Sequence, residues 1–315
     1  MIEVLYTITM VNINKYKNLS WIDASSPTKD ELSSLINEYS LHPLIGEELF
    51  SPTRKPKIEI YDNYIFLALH IPIHESVNKK RIVKSKEIDF VIGKDFIITS
   101  HDEIIEPLHG FSKIFETNSI LDKKGIGNHA GIIFFYIMKR LYEYMINNLE
   151  NIKDSLIESE KHIFNGHERK MVENLSLISR ELIDFKQITH LHKEIIESLS
   201  EIPKDFFDKD FNYFVDDLKH SYSSIHNLII SNKELLSDLR ETNDSLLSTK
   251  QNDSLRLFSI LAFVTFPLAL LLDIFSLPTS HTPIIGLAYD WEILTGTVIV
   301  LAIAMFTYFK KKEWL

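Results

Sequence analysis

One aspartate stands at the end of a long apolar run, where a charged side chain is costly. Residues 257–272 contain no charged side chain, and Asp273 follows them directly. A carboxylate at the centre of a membrane-spanning helix costs about 2.5 to 3.5 kcal/mol, and less towards the interface, unless it faces water, a cation or a partner. Asp273 is therefore a candidate cation ligand. The alternative is an ordinary helix-end residue at the depth of the lipid headgroups.

Asn252, Ser259 and Phe266 precede Asp273 at successive steps of seven residues. Positions seven apart keep to one stripe of a helix that packs in a bundle, with a drift of about 20° per heptad. We interpret this stripe as the inward face of such a bundle. It offers a polar entrance, a small hydroxyl position, an apolar constriction and a carboxylate. Pro267 leaves a carbonyl of the preceding turn unpaired, so we expect a bend beside the constriction.

Other polar patterns give weaker predictions. Residues 125–131 resemble a phosphate-binding glycine motif, but the last glycine comes one residue late, and a loop before a helix explains the pattern better. Two further pairs could be proposed as metal ligands. Glu158 and His162, four residues apart, more often form a surface contact, whereas His190 and His192 point to different helix faces. The absence of cysteine excludes disulfides and thiolate metal sites. No enzyme signature stands out, and the net charge of −10 argues against a nucleic-acid binder.

Two apolar segments near the C-terminus have the length of membrane helices. They are residues 257–277 and 293–309, and the whole stretch 257–309 contains no lysine or arginine. About 20 apolar residues span a bilayer core of about 30 Å. The sequence therefore predicts a membrane hairpin, and the alternative is a pair of buried helices in a soluble protein.

Basic residues at the two ends of this hairpin predict its orientation. Lys250 and Arg256 precede the first segment, and Lys310, Lys311 and Lys312 follow the second, whereas the connecting loop holds nothing basic. Lysine and arginine accumulate on the cytoplasmic side of membrane proteins. Both termini are therefore predicted to lie in the cytoplasm.

The apolar patterns also divide the chain into consecutive segments. Alternation in residues 57–61, 64–69, 88–92 and 96–99 predicts strands, and residues 27–31 predict the start of a helix. The predicted segments are an α/β cytoplasmic domain over residues 1–127, a cytoplasmic helical region over 128–204 interrupted at Gly166 and Pro203, a stalk helix over 205–254, a first transmembrane helix over 255–277, an extracytoplasmic loop over 278–292, a second transmembrane helix over 293–309 and a basic cytoplasmic tail over 310–315.

Several stretches resemble the CorA family of divalent-cation channels and transporters. In the N-terminal part they include Leu41-His-Pro-Leu44 and Arg54-Lys-Pro-Lys-Ile-Glu59. At the membrane end they include Phe266-Pro267-Leu268 and Tyr308-Phe-Lys-Lys-Lys-Glu-Trp-Leu315. With further stretches at residues 21–28, 61–66, 87–94 and 252–256, the resemblance covers nearly the whole chain.

The resemblance implies a funnel-shaped homopentamer in the lipid bilayer of the cell (inner) membrane. Each copy would contribute an α/β domain, a stalk helix and two membrane helices, of which the first lines the pore. Family members carry magnesium, and sometimes cobalt, nickel or zinc. Cytoplasmic magnesium bound between subunits would act as the regulatory ion that closes the pore.

By the same resemblance, the regulatory carboxylates would be Glu75 and either Asp216 or Asp217. The spacing along the stalk does not choose between the two aspartates, and an interface contact without metal is the alternative. Glu241 belongs to a set of acidic stalk residues, for which attraction of cations and a solvated helix face are both open.

One departure from the family pattern affects the predicted function. The family closes its first membrane helix with Gly-Met-Asn, whose asparagine ring holds a hydrated cation at the outer mouth. Here the aligned residues are Ser276, Leu277 and Pro278. Our hypothesis is that Asp273 supplies the outer cation-binding ring instead. The alternatives are a non-conducting membrane scaffold or sensor that keeps the fold, and a zinc-preferring carrier or exporter.

Overall fold

The computed structural model describes residues 11–77, 80–103, 105–116, 129–202, 206–207, 211–277, 284–286 and 289–312. The chain forms two compact units, Met1–Leu239 and Arg240–Leu315. The first contains a sheet with several helices, and the second contains the apolar C-terminal helices. The predicted combination of an α/β domain, a long helix and two apolar C-terminal helices is confirmed.

A six-stranded sheet forms the centre of the first unit, in the order β1-β2-β6-β5-β4-β3. Its strands are β1 Val11–Tyr16, β2 Leu19–Ser25, β3 Lys57–Ile60, β4 Tyr64–Val77, β5 Lys80–Gly93 and β6 Phe96–His101. β2 and β6 pair in parallel, and the other neighbours pair antiparallel. The alternating patterns predicted β3 to β6 correctly. However, β4 and β5 each run for 14 residues, well beyond the predicted strands.

Two helices cover one face of this sheet. They are α1 Lys29–Glu38 and α2 Pro43–Phe50. Thr28 caps α1 and forms a capping box with Glu31, which satisfies two backbone donors at the predicted helix start. Apolar side chains of both helices bury against strand residues such as Phe66 and Val91. This layer is one hydrophobic core of the α/β part.

Further helices follow the sheet in the chain. They are α3 Glu106–Glu116, α4 Gly131–Phe164, α5 Glu168–Thr189 and α6 His192–Leu199. The predicted interruption at Gly166 is confirmed, since this residue lies between α4 and α5 with a φ of 88°. The predicted interruption at Pro203 lies outside the described residues. Phe134 of α4 contacts Phe90 of β5 edge to face, with 5.3 Å between ring centroids, which ties α4 to the sheet.

The stalk and the first apolar segment belong to one continuous helix. α7 spans Phe211–Ser276, which is 66 residues, and Pro267 lies inside it. Its buried residues in the first unit, among them Val215, Leu218, Ile225 and Ile229, recur at spacings of three, four and seven. This pattern is typical of a helix packed along other helices. Asn232 adds a polar contact, because its Nδ2 donates to the Leu149 carbonyl of α4 at 2.8 Å.

The last helix, α8, spans Asp290–Lys311. Together with the end of α7 it provides two helices long and apolar enough to cross a membrane, and both apolar windows are almost entirely exposed in the single chain. Core helices of a soluble protein would be buried instead. The exposed apolar surfaces therefore favour a membrane over a soluble fold.

Candidate cation pathway

The four candidate pathway residues lie on one exposed stripe of α7. Asn252, Ser259, Phe266 and Asp273 are all exposed, and Phe266 is exposed to 71%. Because α7 is unbroken from Phe211 to Ser276, their spacing of seven residues keeps them on the same side. The structure thus brings these residues into one line along the helix.

Hydroxyl groups on the apolar part of α7 bond back to its own backbone. Ser259 Oγ donates to the Leu255 carbonyl at 2.9 Å, and Thr265 Oγ1 donates to the Leu261 carbonyl at 2.9 Å. Such bonds satisfy the hydroxyl proton inside an apolar segment and leave the oxygen lone pairs free to accept. Ser259 can therefore present an acceptor without an unsatisfied donor.

Pro267 interrupts the hydrogen bonds of α7 without ending the helix. Proline has no backbone N–H, so the carbonyl four residues earlier, at Phe263, loses its usual partner. Phe266 stands immediately before this weak point. The helix can therefore bend next to the aromatic ring of the stripe.

α7 ends at Ser276, three residues after the candidate carboxylate Asp273. Ser276 Oγ donates to the Asp273 carbonyl at 2.8 Å, and Leu277 follows the helix with 56% of its side chain exposed. Pro278, the third residue at the predicted outer mouth, lies outside the described residues. The Asp273 side chain is exposed near the end of the helix.

Asp290 begins α8 and accepts two backbone hydrogen bonds. Its Oδ1 accepts from Trp291 N at 2.8 Å, and its Oδ2 accepts from Gly286 N at 3.2 Å. Gly286 has a φ of 102°, a backbone conformation that favours glycine. α8 therefore starts before the predicted segment 293–309, because its first turn is polar and lies ahead of the apolar part.

Glu75, a predicted regulatory carboxylate, is held by two lysines within its own hairpin. Lys84 Nζ lies 2.6 Å from Glu75 Oε2, and Lys86 Nζ lies 2.7 Å from Glu75 Oε1. The hydrogen bonds from Lys84 and Lys86 lower the pKa of Glu75. The carboxylate is thus ionised, and any cation that binds there must compete with both lysines.

Asp216 and Asp217 also have basic partners. Lys139 Nζ of α4 lies 2.9 Å from Asp217 Oδ2, and Lys219 Nζ lies 3.3 Å from Asp216 Oδ1. Within the ranges described above, no three histidine, aspartate or glutamate side chains group as metal ligands.

The remaining predicted residues lie on exposed helix surfaces. Glu241 is exposed on α7, and Lys310, Lys311 and Lys312 are exposed at the end of α8. Positive side chains near a helix C-terminus interact favourably with the helix dipole. These lysines therefore suit both the helix end and an interface with lipid headgroups.

The sequence patterns did not indicate the lysine partners of the candidate carboxylates or the acidic pair of Glu87 and Asp89. The ion pairs of Glu75 cross between strands, and the pair of Asp217 joins two helices far apart in the chain. Glu87 and Asp89 alternate on β5, and Asp89 is buried. Two acids spaced by one apolar residue within a predicted strand were the available signal, because such acids share a sheet face.

An α/β domain followed by a long helix and two exposed apolar helices is the architecture of an integral membrane protein, and comparison with known proteins gives its family. Residues 16–311 match the family model described as CorA-like Mg2+ transporter protein. This match covers most of the sequence, so the chain belongs to the CorA family. The family transports divalent cations, and neither the relatives nor the fold is that of an enzyme.

Individual relatives are distant in sequence but similar over nearly their full length. The cobalt/magnesium transport protein CorA of Thermotoga maritima is 21% identical over 301 residues, covering 94% of this chain and 83% of the relative. The magnesium transport protein CorA of Campylobacter jejuni is 20% identical over 315 residues, covering 95% and 92%. The complete structure of the CorA magnesium transporter from Methanocaldococcus jannaschii matches with a TM-score of 0.80 at 15% identity, covering 96% of this chain and 93% of that chain.

Proposed function

We propose that the chain forms a homopentameric channel for divalent cations, with magnesium as the leading ion. The observation that carries this proposal is the exposed stripe from Asn252 to Asp273 on one unbroken helix. Relatives named for magnesium and cobalt transport support the choice of ions. Cobalt, nickel and zinc are the further candidates.

In the proposed channel, five copies of α7 face a central pathway with this stripe. Asn252 and Ser259 offer oxygen acceptors, while Phe266 forms an apolar constriction. Apolar constrictions gate by excluding water, and rings of acidic side chains select cations. The neighbouring Pro267 supplies the point at which α7 bends when the constriction widens.

Asp273 would take the place of the family's asparagine ring. Five carboxylates near one another repel, and a divalent cation relieves that repulsion better than a monovalent one. Selection by a carboxylate ring depends more on charge than selection by an amide ring. We therefore expect this channel to discriminate against monovalent cations more strongly than among divalent ones.

Gating by cytoplasmic cation would use Glu75 of one copy with Asp216 or Asp217 of the next. Magnesium binds through few carboxylates and retains several of its waters, which suits a site between subunits. In the single chain the three carboxylates rest in ion pairs with lysines. Closure would then follow when the cytoplasmic cation concentration is high enough to displace those lysines.

The proposed orientation places both termini in the cytoplasm of the cell (inner) membrane. Lys310, Lys311 and Lys312 lie at the end of α8, and Lys250 and Arg256 precede the apolar part of α7. Lys250 and Arg256 precede the hairpin in the chain and the three lysines follow it, so both sets stand at its open end. The positive-inside rule assigns that end to the cytoplasmic side.

A membrane scaffold or sensor without conduction is the second candidate, and one observation favours it. Ser276, Leu277 and Pro278 replace the family's Gly-Met-Asn, so the amide ring is missing. Purified protein in liposomes loaded with an ion-sensitive dye separates the candidates. A channel gives influx of magnesium, cobalt, nickel or zinc above that of empty vesicles, whereas a scaffold gives none.

A further inference from the structure

A cavity of about 540 Å³ lies in the α/β part of the first unit. Glu87 and Asp89 of β5 line it, together with His70 of β4 and Ser100 of β6. Leu49 and Phe50, at the end of α2, line it as well. Small-molecule sites commonly measure about 300 to 1,000 Å³, so this cavity has the size for a small metabolite.

The strand register places the acidic residues together at the floor of the cavity. Glu87 pairs with His70 across β4 and β5, and Asp89 pairs with Ser100 across β5 and β6. Directly paired residues project to the same face of a sheet, and so do alternate residues of one strand. The four side chains therefore share one face, which is the face that α2 covers.

Two carboxyl oxygens at the floor of the cavity accept no hydrogen bond from the described part of the protein. Glu87 Oε1 accepts from Thr53 N at 2.8 Å and from Thr53 Oγ1 at 2.6 Å. The other oxygen, Glu87 Oε2, is buried without a hydrogen-bond partner among the described residues, and His70 Nε2 lies 3.6 Å from it. Asp89 is only 6% exposed, and its Oδ1 also lacks a partner. Buried acceptors of this kind cost free energy unless a donor reaches them.

The charge state of the floor follows from its burial. Desolvation raises the pKa of Asp89 to about 9, with a further contribution from the nearby carboxylate of Glu87. Asp89 therefore keeps its proton at neutral pH. A ligand with two adjacent N–H donors would satisfy both carboxyl groups.

The rim of the same cavity carries side chains of both charges. Arg54, Lys84 and Lys86 line it together with Asp102 and Glu103, and Glu103 pairs with Lys86. Lys84 and Lys86 also pair with Glu75, so the rim adjoins a candidate regulatory residue. The exposed Arg54 at the rim and the acids at the floor complement a molecule with opposite charges at its two ends.

We propose that this cavity binds a small molecule that presents paired N–H donors to Glu87 and Asp89 and a carboxylate or phosphate to Arg54. A guanidinium group and the N–H edge of guanine both carry adjacent N–H donors. The site lies within one chain and is independent of whether the protein conducts ions.

Titration calorimetry on the purified full-length protein tests the proposal with two probes and their matched controls. The probes are L-arginine and guanosine monophosphate. The controls are L-ornithine, whose ammonium group keeps the charge but lacks the planar pair of donors, and adenosine monophosphate, whose base lacks paired donors. We expect at least one probe to bind saturably, with one molecule per chain, and at least tenfold more tightly than its control.

Substitutions then locate the binding. Glu87→Gln conserves shape but replaces an acceptor oxygen by an amide donor, so it is expected to weaken binding at least tenfold. Asp89→Asn resembles the protonated acid and should weaken binding less. Arg54→Ala, at the exposed rim, tests the anionic end even where a floor variant fails to fold. Asp62→Asn, at an exposed position between β3 and β4, is the matched control and should bind normally. Absence of saturable binding by both probes, equal binding of the controls, or binding that survives Arg54→Ala and the folded floor variants would overturn the proposal.

Discussion

Glu75 Oε1 lies 2.7 Å from Lys86 Nζ, across the β4–β5 hairpin, and Lys84 holds the second oxygen at 2.6 Å. The candidate regulatory carboxylate is therefore already neutralised by its own chain. In the proposed regulatory site, a cation could use Glu75 only by displacing lysines. The cation concentration at which the proposed channel closes would then depend on how strongly these lysines bind.

Replacement of Lys84 by glutamine should make the proposed regulatory site more sensitive. Without this competitor, magnesium should protect the protein from proteolysis at a concentration severalfold lower than in the wild type. Glu75→Ala should abolish the protection. Lys55→Gln, at an exposed lysine before β3, serves as the control. An unchanged magnesium dependence in both Lys84→Gln and Glu75→Ala would remove Glu75 from the regulatory site.

Asp89 should make the stability of the first unit depend on pH. Its pKa is raised to about 9 in the folded chain, against an ordinary value of about 3.9, so the folded state retains a proton that the unfolded state releases. The stability that this proton contributes is complete below about pH 4 and is lost as the pH rises towards about 9. The slope in this window is about 1.4 kcal/mol per pH unit.

Asp89→Asn should remove that slope. Urea unfolding at about pH 6 and about pH 8 should show the variant gaining up to about 2.7 kcal/mol on the wild type between the two conditions. Asp62→Asn should leave the pH dependence unchanged. Parallel pH curves for Asp89→Asn and the wild type would show that Asp89 is ionised in the folded protein.

A buried histidine links three elements of the first unit. His192 Nε2 donates to the His70 carbonyl at 2.8 Å, and His192 Nδ1 accepts from the Tyr142 hydroxyl at 3.2 Å. Burial lowers the pKa of His192 to about 4, so the ring is neutral. The stability that it contributes is present above about pH 6.5 and is lost as the pH falls towards about 4.

Tyr142→Phe should destabilise the folded chain by about 1 to 3 kcal/mol, because it leaves a buried ring nitrogen without a donor. Tyr213→Phe removes a hydroxyl from a side chain that is 74% exposed and should change little. Equal unfolding free energies for the two variants at neutral pH would show that the Tyr142 bond contributes nothing.

The natural absence of cysteine makes the predicted orientation simple to test. Ile285→Cys lies between the two apolar helices, and Lys312→Cys follows α8. In intact cells, a membrane-impermeant maleimide should label the first variant after passing the outer layers and should label the second only after permeabilisation. The reverse pattern would place the termini outside.

Local sequence patterns predicted the elements whose residues alternate or repeat cleanly. Alternation predicted β3 and β6, and the lack of glycine and proline before Pro267 predicted the continuous helix α7. β1 and β2 were not predicted from the sequence. The strands predicted for the β4–β5 hairpin were too short, because Pro72 and several charged residues interrupt the apolar pattern there. Pro72 is tolerated because β3 pairs only with residues 65–68, so this end of β4 is an edge on that side.

Only part of the candidate site could be predicted from the sequence, and the reason is physical. The stripe from Asn252 to Asp273 depends on spacing within one helix, which the sequence contains. The lysines that hold Glu75 and Asp217 depend on pairing between strands and helices, which spacing along the chain does not reveal. The burial of Asp89 beside Glu87 likewise depends on α2 covering that face of the sheet.

Magnesium flux into proteoliposomes, compared between the wild type and Asp273→Ala, tests the central claim most directly. Glu292→Gln, at an exposed carboxylate near the start of α8 and outside the stripe, is the control. The proposal predicts dye-detected influx in the wild type and the control, and at least a tenfold reduction in Asp273→Ala. Wild-type flux no greater than that of empty vesicles, or full flux in Asp273→Ala, would contradict it.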